Sequence, residues 1–278
     1  MYSRDGTQQN QQNQQYQQQP QQYQQKPQQY QQQPQQNQQH QQNQQHQQPQ
    51  QQQTNHTHQN FGESNQNRGK GKQMAPSYKL TYFKSRGIAE PTRFLLAYIG
   101  QEFKEVRLDS DAWKSTKSNT PFGKLPILEI DGKVVHQSLA INRYLARKAG
   151  LIGKNDWEML QIDMIVETLS DLMAYMLSYH QEQDEKVKTK KLKQLEEAFP
   201  FYYSRFDEQV RRNNSYFVNG TLSLADIQFV ALQDFVKYTL KKELINSYQN
   251  LKNLSNRVRS IPAIKAYVDR RPPTEYYN

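Results

Sequence analysis

Apolar and polar residues alternate from Tyr78 onward: Tyr78-Lys79-Leu80-Thr81-Tyr82-Phe83 is aromatic-rich and reads as a half-buried strand. Lys84 to Gly87 is a polar turn, and Glu90-Pro91 opens a helix through Phe94, Leu95, Tyr98 and Ile99 that Gly100 closes. Phe103-Lys104-Glu105-Val106-Arg107-Leu108 alternates again, and a polar stretch holding Trp113 and Lys117 follows. Ile127-Leu128-Glu129-Ile130 and Lys133-Val134-Val135 flank Asp131-Gly132, a hairpin signal. Gln137 or Ser138 then caps a helix that carries Ile141, Tyr144, Leu145 and Ala149 and ends at Gly150.

Beyond this point strand patterns stop. Met159, Ile162, Ile165, Val166, Leu169, Leu172, Met173 and Met176 recur at helical spacing, and Leu192, Leu195, Phe199, Tyr202, Tyr203 and Phe206 repeat the pattern. Ser223-Leu224-Ala225-Asp226 has the spacing of a capping box before an apolar helix through Leu240, and a last helix begins at Ile261-Pro262-Ala263 and ends by Pro272-Pro273. The order βαβ then ββα predicts a thioredoxin-like α/β domain over 74–152, and an all-α domain fills 153–278.

Composition adds a third region. Residues 1–73 are dominated by Gln and contain no Leu, Ile or Val, so they cannot bury enough apolar surface to offset the entropy of ordering. They are expected to form a disordered Gln-rich extension. It is either a flexible spacer or a self-associating tract with a protein partner, its tyrosines acting as contact points. The chain has no Cys, which excludes disulfides and thiolate metal sites, and any thiol chemistry must use a thiol brought by a ligand. Neither a secretory signal nor an apolar run long enough to span a membrane occurs, so a cytoplasmic protein is expected. The extension holds five basic and two acidic residues, which leaves +7 of the net +10 on the remainder. The basic stretch 186–193 is flanked by acids and reads as a solvated helix face, so no nucleic-acid partner is expected.

Several segments resemble the sigma class of glutathione transferases over 78–274. They are Tyr78 to Phe83 with Arg86-Gly87 and Ala89-Glu90-Pro91, Pro121-Phe122-Gly123-Lys124-Leu125-Pro126-Ile127-Leu128-Glu129, His136-Gln137-Ser138-Leu139-Ala140-Ile141, the Ser223–Asp226 box, and Ile261-Pro262-Ala263. The resemblance implies a homodimer that uses glutathione as co-substrate. Tyr82 would donate a hydrogen bond to the glutathione sulfur. A free thiol near pKa 8.5 is mostly protonated at neutral pH, and a drop of roughly two units makes the thiolate the major form. Read without the resemblance, Tyr82 is an ordinary strand aromatic packed inward.

Further roles follow from the same resemblance. Gly123, Lys124, Leu125 and Pro126 would form the segment, with a cis-proline, that pairs with the cysteinyl backbone; a plain tight turn is the simpler reading. Gln137 and Ser138 would receive the γ-glutamyl carboxylate at a helix start, where free N–H groups favour an anion. Trp113 and Lys117 would contact the glycyl end, and Asp171 would reach across the dimer to the γ-glutamyl amine, where a solvated carboxylate is the alternative. Phe83, Ile88, Met173 and Leu177, with Tyr175 or Tyr179 nearby, would line an apolar pocket for small hydrophobic electrophiles, although periodicity alone makes them core.

The chain departs from the prostaglandin-isomerising members of the class. Ile88 stands where they have an Arg, Ser178 where they have a Trp, and Glu167 and Ser170 replace residues of their metal-binding cluster, so no metal is expected. The expected activity is conjugation of glutathione to lipid-derived electrophiles such as unsaturated aldehydes, with peroxidase activity toward lipid hydroperoxides. Prostaglandin D isomerisation and a structural or scaffolding role on the same fold are the alternatives.

Overall fold

A computed structural model of the protein describes residues 76–275, so the Gln-rich stretch 1–73 lies outside the described residues. Strands β1 (Tyr78–Phe83), β2 (Lys104–Leu108), β3 (Ile127–Ile130) and β4 (Lys133–His136) form one sheet in the order β2-β1-β3-β4. β1 and β2 are parallel, and helix α1 (Glu90–Tyr98) supplies the crossover that such a pair needs. β3 runs antiparallel to both β1 and β4. Asp131 and Gly132 close the β3–β4 hairpin at φ 49° and 78°, the left-handed conformations of a two-residue turn. In β1, Tyr78, Leu80 and Tyr82 are buried while the residues between them are half-buried. The sheet and its helices are the expected thioredoxin-like arrangement, and the chain beyond them is helical.

The remaining helices are α2 (Ser110–Thr116), α3 (Ser138–Lys148), α4 (Asp156–Gln181), α5 (Glu185–Arg212), α6 (Leu224–Leu240), α7 (Gln249–Arg259) and α8 (Pro262–Arg270). α2 occupies the polar stretch around Trp113. None of its residues is fully buried, so it has no apolar stripe to announce it, and its signal is a cap: Asp109 accepts the Ala112 N–H at 2.9 Å. α7 lies where the sequence pattern marks no helix, although Leu251, Leu254 and Val258 fall on its buried face. α5 continues through Pro200, where a break is the usual outcome. Both Pro200 and Glu196, whose carbonyl loses its ladder donor, are exposed, so water can serve that carbonyl.

One hydrophobic cluster joins Leu80, Phe94 and Leu128 to Leu172, Phe199, Tyr203 and Phe229. Two polar ties cross it. In the first, Thr92 donates to Asn142 at 2.7 Å and Asn142 donates to Gln228 at 2.9 Å, linking α1, α3 and α6. The second is a charge network around fully buried Glu90, which receives Arg93 at 2.9 Å, Arg271 at 2.6 Å and the Tyr267 hydroxyl at 3.2 Å. Asp234 on α6 holds Arg86 at 2.9 Å and Arg271 at 2.8 Å. Burial alone would raise the Asp234 carboxyl, but Arg259, Arg271 and Arg86 outweigh it and keep its pKa below the usual value. No described helix is long and apolar enough to cross a membrane.

Candidate active site

Tyr82 is the last buried residue of β1, and it lines a cavity of about 510 Å³. Only 5% of the residue is exposed. Burial raises the phenol above its usual pKa, while the nearby Ile88 backbone N–H and the charge of Arg93 pull the other way. The net effect is a hydroxyl that stays protonated, which makes it a hydrogen-bond donor and not a base. Gly87, at φ 43°, passes directly over it: a β-carbon there would stand 2.6 Å from the Tyr82 oxygen. Only glycine lets the backbone come so close.

Phe83, Ile88, Trp113, Lys117, Gly123, Lys124, Leu125, Pro126, Gln137, Ser138 and Leu177 line the same cavity. The Leu125–Pro126 peptide is cis, and Phe122 and Gly123 before it both have positive φ (55° and 59°). Lys117 runs past Gly123, whose added β-carbon would meet the lysine Cε at 3.5 Å. Trp113 packs edge-on against Phe83, ring centres 5.6 Å apart. Gln137 precedes α3 at φ 71° and ψ 104°, and its side chain makes no cap. Instead it lines the cavity, so this sparsely populated backbone conformation coincides with the candidate ligand site. Ser138 begins α3, leaving the first N–H groups of that helix free for an anion.

The cavity lining therefore mixes two chemistries: Gln137, Ser138, Lys117 and Lys124 are polar or cationic, and Phe83, Ile88 and Leu177 are apolar. Four residues not given a site role from sequence also line it: Pro121, Phe122 and His136, the last two with rings 5.1 Å apart, and Gln181, one turn beyond Leu177. The helical spacing of Leu177 and Gln181 could have revealed the last of these.

Met173 is placed differently from the sequence expectation. It is only 5% exposed and belongs to the hydrophobic core, because it lies one turn deeper along α4 than Leu177. Tyr175 is 56% exposed, and Tyr179 packs on His180 at 4.9 Å; neither lines the cavity. Asp171 is exposed on α4 and is likewise not part of this chain's own cavity lining. Ser178 is exposed, and its carbonyl accepts from Lys191 at 3.2 Å. Among the described residues no cluster of three or more His, Asp or Glu is arranged to hold a metal ion.

Comparison with known proteins matches residues 78–147 to the family described as Glutathione S-transferase, N-terminal domain, and residues 170–271 to Glutathione S-transferase, C-terminal domain. Glutathione S-transferase S1 of Drosophila melanogaster is 38% identical over 200 residues, covering 72% of this chain and 80% of that protein. Hematopoietic prostaglandin D synthase of Gallus gallus is 40% identical over 201 residues, with 72% and 98% covered. Among solved structures, prostaglandin synthase D of Nilaparvata lugens superposes with a TM-score of 0.68 at 40% identity, covering 71% of this chain and 99% of that one.

Proposed function

The chain belongs to the glutathione S-transferase family, and from that premise we propose that Tyr82 holds bound glutathione as a thiolate for attack on apolar electrophiles. The observation that carries this reading is Tyr82, whose phenol burial holds above its usual pKa, in a cavity lined by both polar and apolar side chains. Donation to the charged sulfur lowers the thiol pKa, and the thiolate is the nucleophile. Gln137 and Ser138 would take the γ-glutamyl end, Trp113 and Lys117 the glycyl end, and the backbone at Leu125-Pro126 the cysteinyl amide. Phe83, Ile88 and Leu177 would receive the electrophile, which favours lipid-derived aldehydes and hydroperoxides over polar substrates.

A second reading, isomerisation of a prostaglandin endoperoxide, has support in the names of the relatives from Gallus gallus and Nilaparvata lugens. Against it, Ile88 puts no cation beside the hydroxyl, and Leu177 and Gln181, not Ser178, cover the cavity from α4. A panel of an aryl halide, an unsaturated aldehyde, a lipid hydroperoxide and a prostaglandin endoperoxide separates the two. Turnover of the first three with little isomerisation is expected. Efficient isomerisation without conjugation would overturn the assignment.

The same reading includes a homodimer. Trp157, Leu160, Met164 and Tyr175 on α4 are 49–67% exposed, and Asp171 lies on that face, seven residues after Met164 and four before Tyr175. Exposed apolar residues in such a row suit a second copy of the chain, with Asp171 turned toward its glutathione. Sedimentation equilibrium should give twice the chain mass. Asp171→Asn should raise the KM for glutathione about tenfold at unchanged kcat, the scale of one charge-assisted hydrogen bond. A monomer with normal turnover would remove Asp171 from the site.

A further inference from the structure

The turn 84–86 joins the Tyr82 strand to Gly87, and two of its residues, Lys84 and Arg86, are held by groups distant in sequence. The Lys84 N–H donates to the Leu108 carbonyl at 3.2 Å, and the Lys84 carbonyl accepts from the Glu275 N–H at 3.3 Å and from the Arg107 guanidinium. The Arg86 N–H donates to the Thr274 hydroxyl oxygen at 3.1 Å, and the Arg86 carbonyl accepts from Arg93 at 3.1 Å. Arg107, paired in register with Tyr82 across β1 and β2, also donates to the Pro273 carbonyl at 2.7 Å. It therefore ties the turn and the C-terminal segment to one side chain. Arg271, where that segment starts, is fixed by Glu90 at 2.6 Å and Asp234 at 2.8 Å.

We propose that the C-terminal segment 271–275 is a clasp that positions the thiol-activating tyrosine, with Arg107 and Thr274 as its positioning residues. The proposal rests on the reading of Tyr82 as thiol activator. Its physical basis is the short path from clasp to hydroxyl. Arg86 is followed by Gly87, where an added β-carbon would stand 2.6 Å from the Tyr82 oxygen, and by Ile88, whose N–H acts on that oxygen and whose side chain lines the cavity. A polar surface turn without such ties opens at low free-energy cost. A donor displaced by about 1 Å loses much of its effect on the group it serves. Neither Arg107 nor Thr274 lines the cavity, and Arg107 meets Tyr82 as its register partner in the sheet. Both hold the turn by hydrogen bonds, so those bonds reach the reaction through the turn.

The experiment titrates the bound glutathione thiol by its ultraviolet thiolate absorbance and measures kcat/KM against pH. It uses the full chain and its variants Thr274→Val, Thr274→Ser, Arg107→Leu and Tyr82→Phe. Valine keeps the shape of Thr274 and removes the acceptor for the Arg86 N–H, whereas serine keeps the acceptor. Thr274→Val and Arg107→Leu are expected to raise the thiol pKa by about 0.5–1 unit, a roughly threefold to tenfold loss of thiolate at pH values well below the parent thiol pKa, a deficit that closes in alkali. KM for glutathione should stay within about twofold, and Thr274→Ser should match the parent. A Thr274→Val thiol that titrates like the parent while Tyr82→Phe shifts it overturns the clasp. Serine as damaging as valine overturns it too. If Tyr82→Phe itself leaves the titration unshifted, the clasp falls with the tyrosine assignment, and the cause is identified as the latter.

Discussion

Tyr82→Phe is expected to bind glutathione and to lose about 10–100-fold in conjugation rate at pH values below the parent thiol pKa. The ring stays, so the packing of Tyr82 against Phe83, 5.3 Å between ring centres, survives, and only the donor is removed. A hydrogen bond to a charged acceptor contributes about 1.5–3 kcal/mol, which is about one to two units of thiol pKa. The sign of the pH dependence is set by the same donor. Without it the thiol ionises later, so the deficit is largest below the parent thiol pKa and shrinks as pH rises through the variant's. Burial holds the Tyr82 phenol above its ordinary value near 10, so the parent profile should show no limb from this group in the neutral range. Rates against pH for an aryl halide, with KM for glutathione measured in parallel, check the outcome. Full turnover would remove Tyr82 from the chemistry, and a deficit equal at every pH would mean that it acts other than through the thiol.

Much of this was legible in the sequence, for reasons that differ by element. The alternation in β1 placed Tyr82 on the inward face, where periodicity alone makes it a packing residue. What periodicity could not reveal is that the strand ends there and that Gly87 opens space over the hydroxyl. The Asp131-Gly132 hairpin and the 3.6-residue patterns of α4 and α6 could be read because one residue type or one period decides them. α2 escaped because it buries no stripe and depends on the Asp109 cap. Met173 and Leu177 fall on one helical face, so their pattern is shared, and the depth of packing that separates core from cavity is a tertiary property. Gln137 looked like a helix cap by position, yet its positive φ turns it toward the cavity. The contacts of Arg107 with Pro273 and of Arg86 with Thr274 span 166 and 188 residues, beyond any local signal.

Asp226→Ala is expected to destabilise the fold by about 3 kcal/mol or more near neutral pH, a large share of the 5–15 kcal/mol typical of a domain. The side chain is fully buried and accepts the Phe217 N–H at 2.9 Å, the Ser223 N–H at 2.7 Å and the Ser223 hydroxyl at 2.7 Å. Alanine leaves two buried backbone donors without an acceptor, and each such group costs about 1–3 kcal/mol. Burial pushes the Asp226 carboxyl up to about 6, against the pull of the Phe217 and Ser223 donors. A folded pKa above the unfolded value means that folding favours the protonated acid. This part of its stabilisation is complete below about pH 4 and is lost as pH rises through about 6. Denaturant unfolding at pH 5 and pH 8 should therefore show a larger gap between parent and variant at pH 5, with a gap remaining at pH 8 because the donors stay orphaned. A variant within about 0.5 kcal/mol of the parent, or a gap that grows with pH, would refute the account. The consequence reaches the active site through α6, which this box starts and which carries Asp234. In molecules where that helix has unfolded, Arg86 loses its partner and the turn above Tyr82 loses an anchor, so only the fully folded molecules are active. Activity should then fall with the folded fraction as denaturant rises, at a lower concentration than in the parent and without a change in the thiol pKa of the molecules that remain folded.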